Sequence, residues 1–196
     1  MPTKATKLLN QIRDCTHCAQ VLPVEPRPVL QASPSSRILI ASQAPGRAVF
    51  NTGIPFNDPS GDKLRNWLGV SDEQFYDENV FAIVPMGFCY PGKGKSGDLP
   101  PRKECAIKWR EPVLESLPNI DLVIAVGSYA VAYHAEKGTS LTQAVREWKR
   151  WYPKLIPVPH PSPRNAHWLR TNPWFEAEVL PVLRQRVRDV VERSAS

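Results

Sequence analysis

The chain has 196 residues, 42% of them hydrophobic and 22% charged, with a formal net charge of +6. That is the make-up of an ordinary soluble globule, long enough for one domain with a substantial core, and no run approaches the roughly 18 apolar residues of a membrane span. The positive balance favours a polyanionic partner, although a basic, solvated surface gives the same number.

In chain order, residues 5–14 read as a short helix with Leu8, Leu9 and Ile12 on one face. It runs straight into Cys15-Thr16-His17-Cys18. The N-terminus lacks the apolar core of a signal peptide, so the expectation is an intracellular, cytoplasmic and nucleoid-associated protein. Residues 21–36 are rich in Pro and Ser and read as a surface connection. Arg37-Ile38-Leu39-Ile40-Ala41 is a short apolar run, the mark of a buried strand, and ends in the turn Ser42-Gln43-Ala44-Pro45-Gly46. Residues 61–68 read as a helix closed by Gly69. Val80-Phe81-Ala82-Ile83-Val84 is a second buried strand, stopped by Pro85.

Residues 91–101, rich in Pro, Gly and Lys, read as loop. Residues 102–117 carry Cys105, Trp109, Val113, Leu114 and Leu117 at helical spacing, with Pro112 expected to bend them. Residues 121–126 form the third strand, and Gly127-Ser128 opens a helix. Residues 141–148 read as another short helix. Leu155-Ile156-Pro157-Val158-Pro159 is the fourth strand, whose prolines point to an unpaired side. It delivers His160-Pro161-Ser162-Pro163-Arg164-Asn165. A last helix is expected over residues 181–192.

Apolar strands alternating with helices predict a single domain: a three-layer α/β/α sandwich around a mostly parallel four-stranded sheet. Ligands of such folds bind beyond the carboxyl ends of the strands, where the turns after the first and fourth strands both lie. The chain has four cysteines: Cys15, Cys18, Cys89 and Cys105. In an intracellular chain they point to a metal or to free thiols rather than disulfides, and four thiolates suffice for zinc or for an iron–sulfur cluster.

The turns and cysteines together resemble the uracil-DNA glycosylase superfamily, over about residues 8–175. Residues 42–46 look like its first motif. Thr52-Gly53-Ile54-Pro55-Phe56 looks like the segment whose Phe stacks on the flipped base. Residues 160–165 look like the last motif, nearest to that of the single-strand-selective branch. The cysteine pattern resembles the branch that carries a 4Fe-4S cluster. The resemblance implies a monofunctional glycosylase, monomeric, that removes uracil or another deaminated base from DNA. It implies Phe56 as the stacking face, His160 as a neutral or charged donor to the departing base, and Gln43 and Ala44 at the base or a phosphate. Arg164 is the implied wedge, and Ser162, Lys93, Lys95 and Lys137 are candidate phosphate contacts. The cluster ligands implied are the four cysteines, with zinc as the alternative metal.

Two departures stand out. The branch commonly has Glu where this chain has Gln43, and Ala44 cannot activate water, which leaves Asp58 as a substitute or as a mere turn residue. The Asn that usually reads the base near the end of the second strand is missing from Ile83-Val84-Pro85-Met86-Gly87, so groups around Met86 or another side chain must serve. The competing readings are a non-catalytic module of the same fold that binds damaged or single-stranded DNA, and a metal-bearing regulatory protein.

Overall fold

A computed structural model describes residues 3–136 and 138–194. Helix α1 (Lys4–Arg13) begins at Thr3, whose hydroxyl accepts the Thr6 N–H, and buries Leu9 and Ile12. After an extended segment comes strand β1 (Ile38–Ala41). Helices α2 (Arg47–Thr52), α3 (Pro59–Leu68) and α4 (Asp72–Phe75) lead to β2 (Phe81–Ile83). A small hairpin, β3 (Lys93–Gly94) and β4 (Gly97–Asp98), precedes α5 (Lys103–Glu115). The second half runs β5 (Leu122–Val126), α6 (Gly127–His134), α7 (Leu141–Arg146), β6 (Leu155–Val158), α8 (Ala166–Thr171), a π-helical turn (Phe175–Val179) and α9 (Leu180–Ser194).

The four long strands form one sheet in the order β2-β1-β5-β6, parallel throughout. Ile38 and Ile40 sit on one face with Phe81, Ile83, Ile124 and Ile156, against Leu64, Trp67, Phe175, Leu183 and Val187 of α3, the π-turn and α9. Leu39, Ala82 and Val84 face the other way, onto Leu9 and Ile12 of α1, Val113 of α5 and Leu117 just beyond it. Ala41 and Ala125 meet Ala130, Val131 and Ala144 of α6 and α7 on that same side. Both faces are covered, which is why each strand reads as an apolar run rather than an alternation. Each fully buried Ile, Leu or Phe contributes roughly 1.5–3 kcal/mol. The α/β/α sandwich expected from the sequence is borne out.

The chain steps from β1 to β2, then crosses back over β1 to β5 and β6. The topological switch therefore lies between β1 and β5, and the crevice beyond their carboxyl ends is the place for a ligand. Pro157 is tolerated because β6 is an edge strand. Pro112 does not break α5, which continues to Glu115. The segment read as a surface connection does more than connect: Gln31 exchanges backbone hydrogen bonds with Ile83, and Val29, Leu30 and Ala32 are buried. It covers the outer edge of β2. The loop over residues 91–101 contains the β3–β4 hairpin, whose Gly-rich pattern carries no strand periodicity. Among the described residues no helix is long and apolar enough to cross a membrane.

Candidate active site

A cleft of about 390 Å³ opens at the carboxyl ends of the strands. Its floor is the turn after β1, residues 42–46. That turn is locked in place from behind: the Met86 N–H donates to the Ser42 carbonyl (2.8 Å) and the Gly87 N–H to the Gln43 carbonyl (2.9 Å). The Gln43 side chain lines the cleft and takes no protein partner among the described residues, as does Ala44 without a polar group.

Phe56 lines the same cleft, 8% exposed. Its φ is +55°, the left-handed region that costs an L-residue about 1–2 kcal/mol. Three neighbours hold it there. Gly61 leaves room for its carbonyl, since a Cβ at Gly61 would lie 1.7 Å from the Phe56 oxygen. Arg65 Nη1 donates to that oxygen (3.3 Å), and the ring meets Phe75 edge to face at 6.2 Å. Arg65 is itself buried and tied to Asp62 (2.5 Å), to Asp72 (2.7 Å) and to Tyr76 Oη (3.3 Å), while Tyr76 donates to the Pro55 carbonyl. Asp58 caps α3, its Oδ1 accepting the Gly61 N–H (2.9 Å), and lines the cleft with its other oxygen unshared among the described residues.

His160 enters at the end of β6. Asn165 Nδ2 donates to its carbonyl (2.7 Å), and the Ser162 N–H donates to its Nδ1 (3.2 Å). A backbone N–H needs a lone pair, so Nδ1 is unprotonated and the neutral ring carries its hydrogen on Nε2. Burial lowers the His160 pKa below its ordinary value, and the charge of Asp58 offsets this only in part. The ring is thus a neutral Nε2–H donor in a cleft that also holds Phe56, Gln43 and Asp58. Gly127, beside the ring where β5 becomes α6, has φ +80°, a backbone conformation that glycine adopts without strain.

The hairpin closes one side. Arg164 Nη1 donates to the Ser96 carbonyl (3.0 Å), and its guanidinium lies where a Cβ at Gly97 would be, 1.7 Å away. Arg164 is therefore braced against the hairpin as it lines the cleft, and Ser162 Oγ accepts the Arg164 N–H (3.3 Å). Lys93 and Lys95 are exposed on the hairpin and do not line the cleft. Lys137 lies outside the described residues. Asp98 from β4 lines the cleft and was not singled out from the sequence, where Gly97-Asp98-Leu99 reads as plain loop.

Met86 is not brought to the cleft. Its side chain packs with Ala41, Ala125 and Ala130 on the far face of the sheet, and Ile83 and Pro85 line the cleft instead. The strand end is held by Arg110, 1% exposed, whose Nη1 donates to the Val84 carbonyl (2.7 Å) and whose Nη2 contacts His134 Nε2. Burial pushes Arg110 down to about 10, and burial together with the Arg110 charge pushes His134 down to about 3. No sequence signal marks a buried Arg on an amphipathic helix.

The four cysteines line a second, small cavity together with Gly87, Phe88, Arg102 and Trp109. The Phe88 N–H donates to Cys105 Sγ (3.4 Å), while the Arg27 backbone and the Arg102 guanidinium lie near enough to Cys89 and Cys18 to favour their thiolates. Burial pushes the Cys105 thiol up to about 12 and the Cys89 thiol up to about 11, and the neighbouring cysteines push the same way. Among the described residues no three His, Cys, Asp or Glu side chains already stand as a metal-holding group. The donor set of four thiols lining one cavity, with the Phe88 N–H on Cys105, nonetheless fits a thiolate-held metal or cluster.

Residues 30–184 match the family model of the Uracil DNA glycosylase superfamily. The chain belongs to that superfamily. The match spans β1 through the start of α9, and so contains every cleft-lining residue except Val29. Superfamily membership supports a glycosylase-type hydrolase that acts on DNA, and it accounts for the basic net charge as a match to a polyanion.

Proposed function

We propose that this protein is a monofunctional DNA glycosylase that hydrolyses the N-glycosidic bond of uracil or another deaminated base and leaves an abasic site. The observation that carries the reading is the neutral His160 Nε2–H set in one cleft with Phe56 and Gln43. A flipped base stacks on the Phe56 ring, and the Gln43 amide contacts its edge or the adjacent phosphate. As the bond breaks, its electron pair stays on the base and charge grows on a base oxygen. His160 Nε2–H donates to that oxygen and lowers the barrier. Water adds to the sugar carbon, and the unshared oxygen of Asp58 orients it and takes its proton. No lysine lines the cleft among the described residues, which favours hydrolysis over Schiff-base lyase chemistry. Ser162 and Arg164 would meet the strand from the cleft, and Lys93 and Lys95 from the exposed hairpin.

Cys15, Cys18, Cys89 and Cys105 are read as the ligands of a 4Fe-4S cluster, zinc being the alternative. Such a group would tie the N-terminus to residues 86–89 and so brace the turn behind the cleft; hydrolysis requires no electron from it. The protein is read as a cytoplasmic, nucleoid-associated monomer.

The test is excision from single- and double-stranded oligonucleotides bearing one uracil, hypoxanthine or xanthine, scored as alkali-labile sites. His160→Ala is expected to slow excision roughly 100- to 1,000-fold. Phe56→Ala is expected to raise KM as well. DNA binding without a product from any base would replace the enzyme by the binding module of the same fold.

A further inference from the structure

We propose that Asp98 reads the target base, in place of the Asn missing from the end of β2. It accepts a hydrogen bond from the ring N–H that deamination creates. The inference rests on the glycosylase reading of the cleft and names how that cleft selects its base.

The argument is one of elimination followed by chemistry. Pro85 stands at the strand end and carries neither an amide side chain nor a backbone N–H. The next two backbone donors, Met86 N–H and Gly87 N–H, are both consumed by the Ser42 and Gln43 carbonyls. The Met86 side chain packs on the far face of the sheet. Among the polar side chains of the cleft, Asn165 is committed to the His160 carbonyl and Arg164 to the Ser96 carbonyl. What remains without a side-chain partner among the described residues is the Ser42 and Ser60 hydroxyls, the Gln43 amide, the His160 Nε2–H, one oxygen of Asp58, and the whole carboxylate of Asp98; of these only the two carboxylates accept without donating, and Asp58 already caps α3.

Asp98 is delivered with care. The hairpin places it opposite Lys93 in register. Gly97, at φ +142°, lets the Arg164 guanidinium pack where a side chain would be. The Asp98 carboxylate then rests beside the turn after β1, with Oδ2 3.3 Å from the position of a Cβ on Gly46. It makes no ion pair and accepts no side-chain hydrogen bond among the described residues, although cationic Arg164 is its neighbour on the cleft wall. Asp98 is exposed at the rim of the cleft, and its free carboxylate is an acceptor with two oxygens and no donor.

Deamination changes one feature of the base edge that such a group can sense. Cytosine presents a ring-nitrogen lone pair at N3, and adenine presents one at N1. Uracil and hypoxanthine present N–H at those same positions. An acceptor-only carboxylate bonds to the N–H and faces the parental lone pair with repulsion, so one group both favours the lesion and rejects the normal base. The Gln43 amide and His160 Nε2–H remain to serve the flanking base oxygens.

The experiment measures binding and excision separately. Oligonucleotides carrying 2′-fluoro-deoxyuridine or 2′-fluoro-deoxycytidine resist cleavage, so their dissociation constants report recognition alone. Wild type is expected to prefer the uracil probe by about tenfold or more. Asp98→Ala is expected to lose most of that preference. Asp98→Asn is expected to keep uracil binding and gain cytosine binding, because an amide can turn to donate to the lone pair. An unchanged ratio in both folded variants overturns the proposal, even if His160-dependent excision is observed. A ratio that follows Asp98 in a protein that excises nothing upholds the reader and removes the enzyme.

Discussion

His160 is placed by contacts that also decide its chemistry. The Ser162 N–H on Nδ1 fixes the tautomer, and burial disfavours the imidazolium. The pH dependence follows with its sign. The folded-state pKa lies below the ordinary value near 6.5, so the ring is neutral above that pH and gains a proton only below the lowered pKa. Gaining it breaks the bond to Ser162 and disturbs the donor. We therefore expect log(kcat/KM) for excision to be flat from about pH 6.5 to 8 and to fall on the acid side alone, with a slope that His160→Gln abolishes. A rate that declines as pH rises through 6–7 would show the cationic ring to be the active form. The motif around His160 was legible in the sequence because His-Pro-Ser-Pro is a local pattern. Its charge state was not, since burial and the facing Asp58 come from distant parts of the chain.

At the scale of elements, the cleft depends on how α3 is set against the loop before it. Asp58 caps the helix, Gly61 lies in its first turn, and Arg65 one turn on reaches back to the Phe56 carbonyl. Alanine inside a helix is usually better than glycine by up to about 1 kcal/mol. Here the new methyl would strike backbone, 1.7 Å from the Phe56 oxygen, and no side-chain rotation relieves that. Gly61→Ala is expected to destabilise by about 1–3 kcal/mol, lowering the thermal midpoint by several degrees, and to raise KM by displacing the stacking ring. A stabilised variant with normal KM would refute this account of Phe56. Sequence periodicity showed α3 and its buried face. It could not show that Gly61 is required by a carbonyl, or that Arg65 points inward, because both facts arise from the turn at Phe56.

Over the whole molecule, one short segment serves both cavities: Ile83 and Pro85 line the cleft, and Gly87, Phe88 and Cys89 line the cysteine cavity. Arg27 links the cysteine side to α2. The Arg27 backbone lies near Cys89 while its guanidinium donates to the Phe50 and Asn51 carbonyls at the end of α2 (2.6 and 3.0 Å). If the thiols hold a cluster, purified protein is expected to be brown, with about four irons per chain. Cys89→Ser is then expected to lose the colour and unfold at lower temperature. A colourless, iron-free protein with one zinc assigns the site to zinc instead, and a metal-free protein of unchanged stability leaves four plain thiols. The sequence by itself determined the parallel sheet, its four strands and the motifs at their ends, because apolar runs and sharp turns are local consequences of composition. Only the tertiary structure decided the strand order, the covering of β2 by residues 29–32, the burial of Arg65 and Arg110, and the arrival of Asp98 in the cleft. Each of these is a contact between residues far apart in the chain, and a polar side chain carries no local signal of which distant surface it will meet.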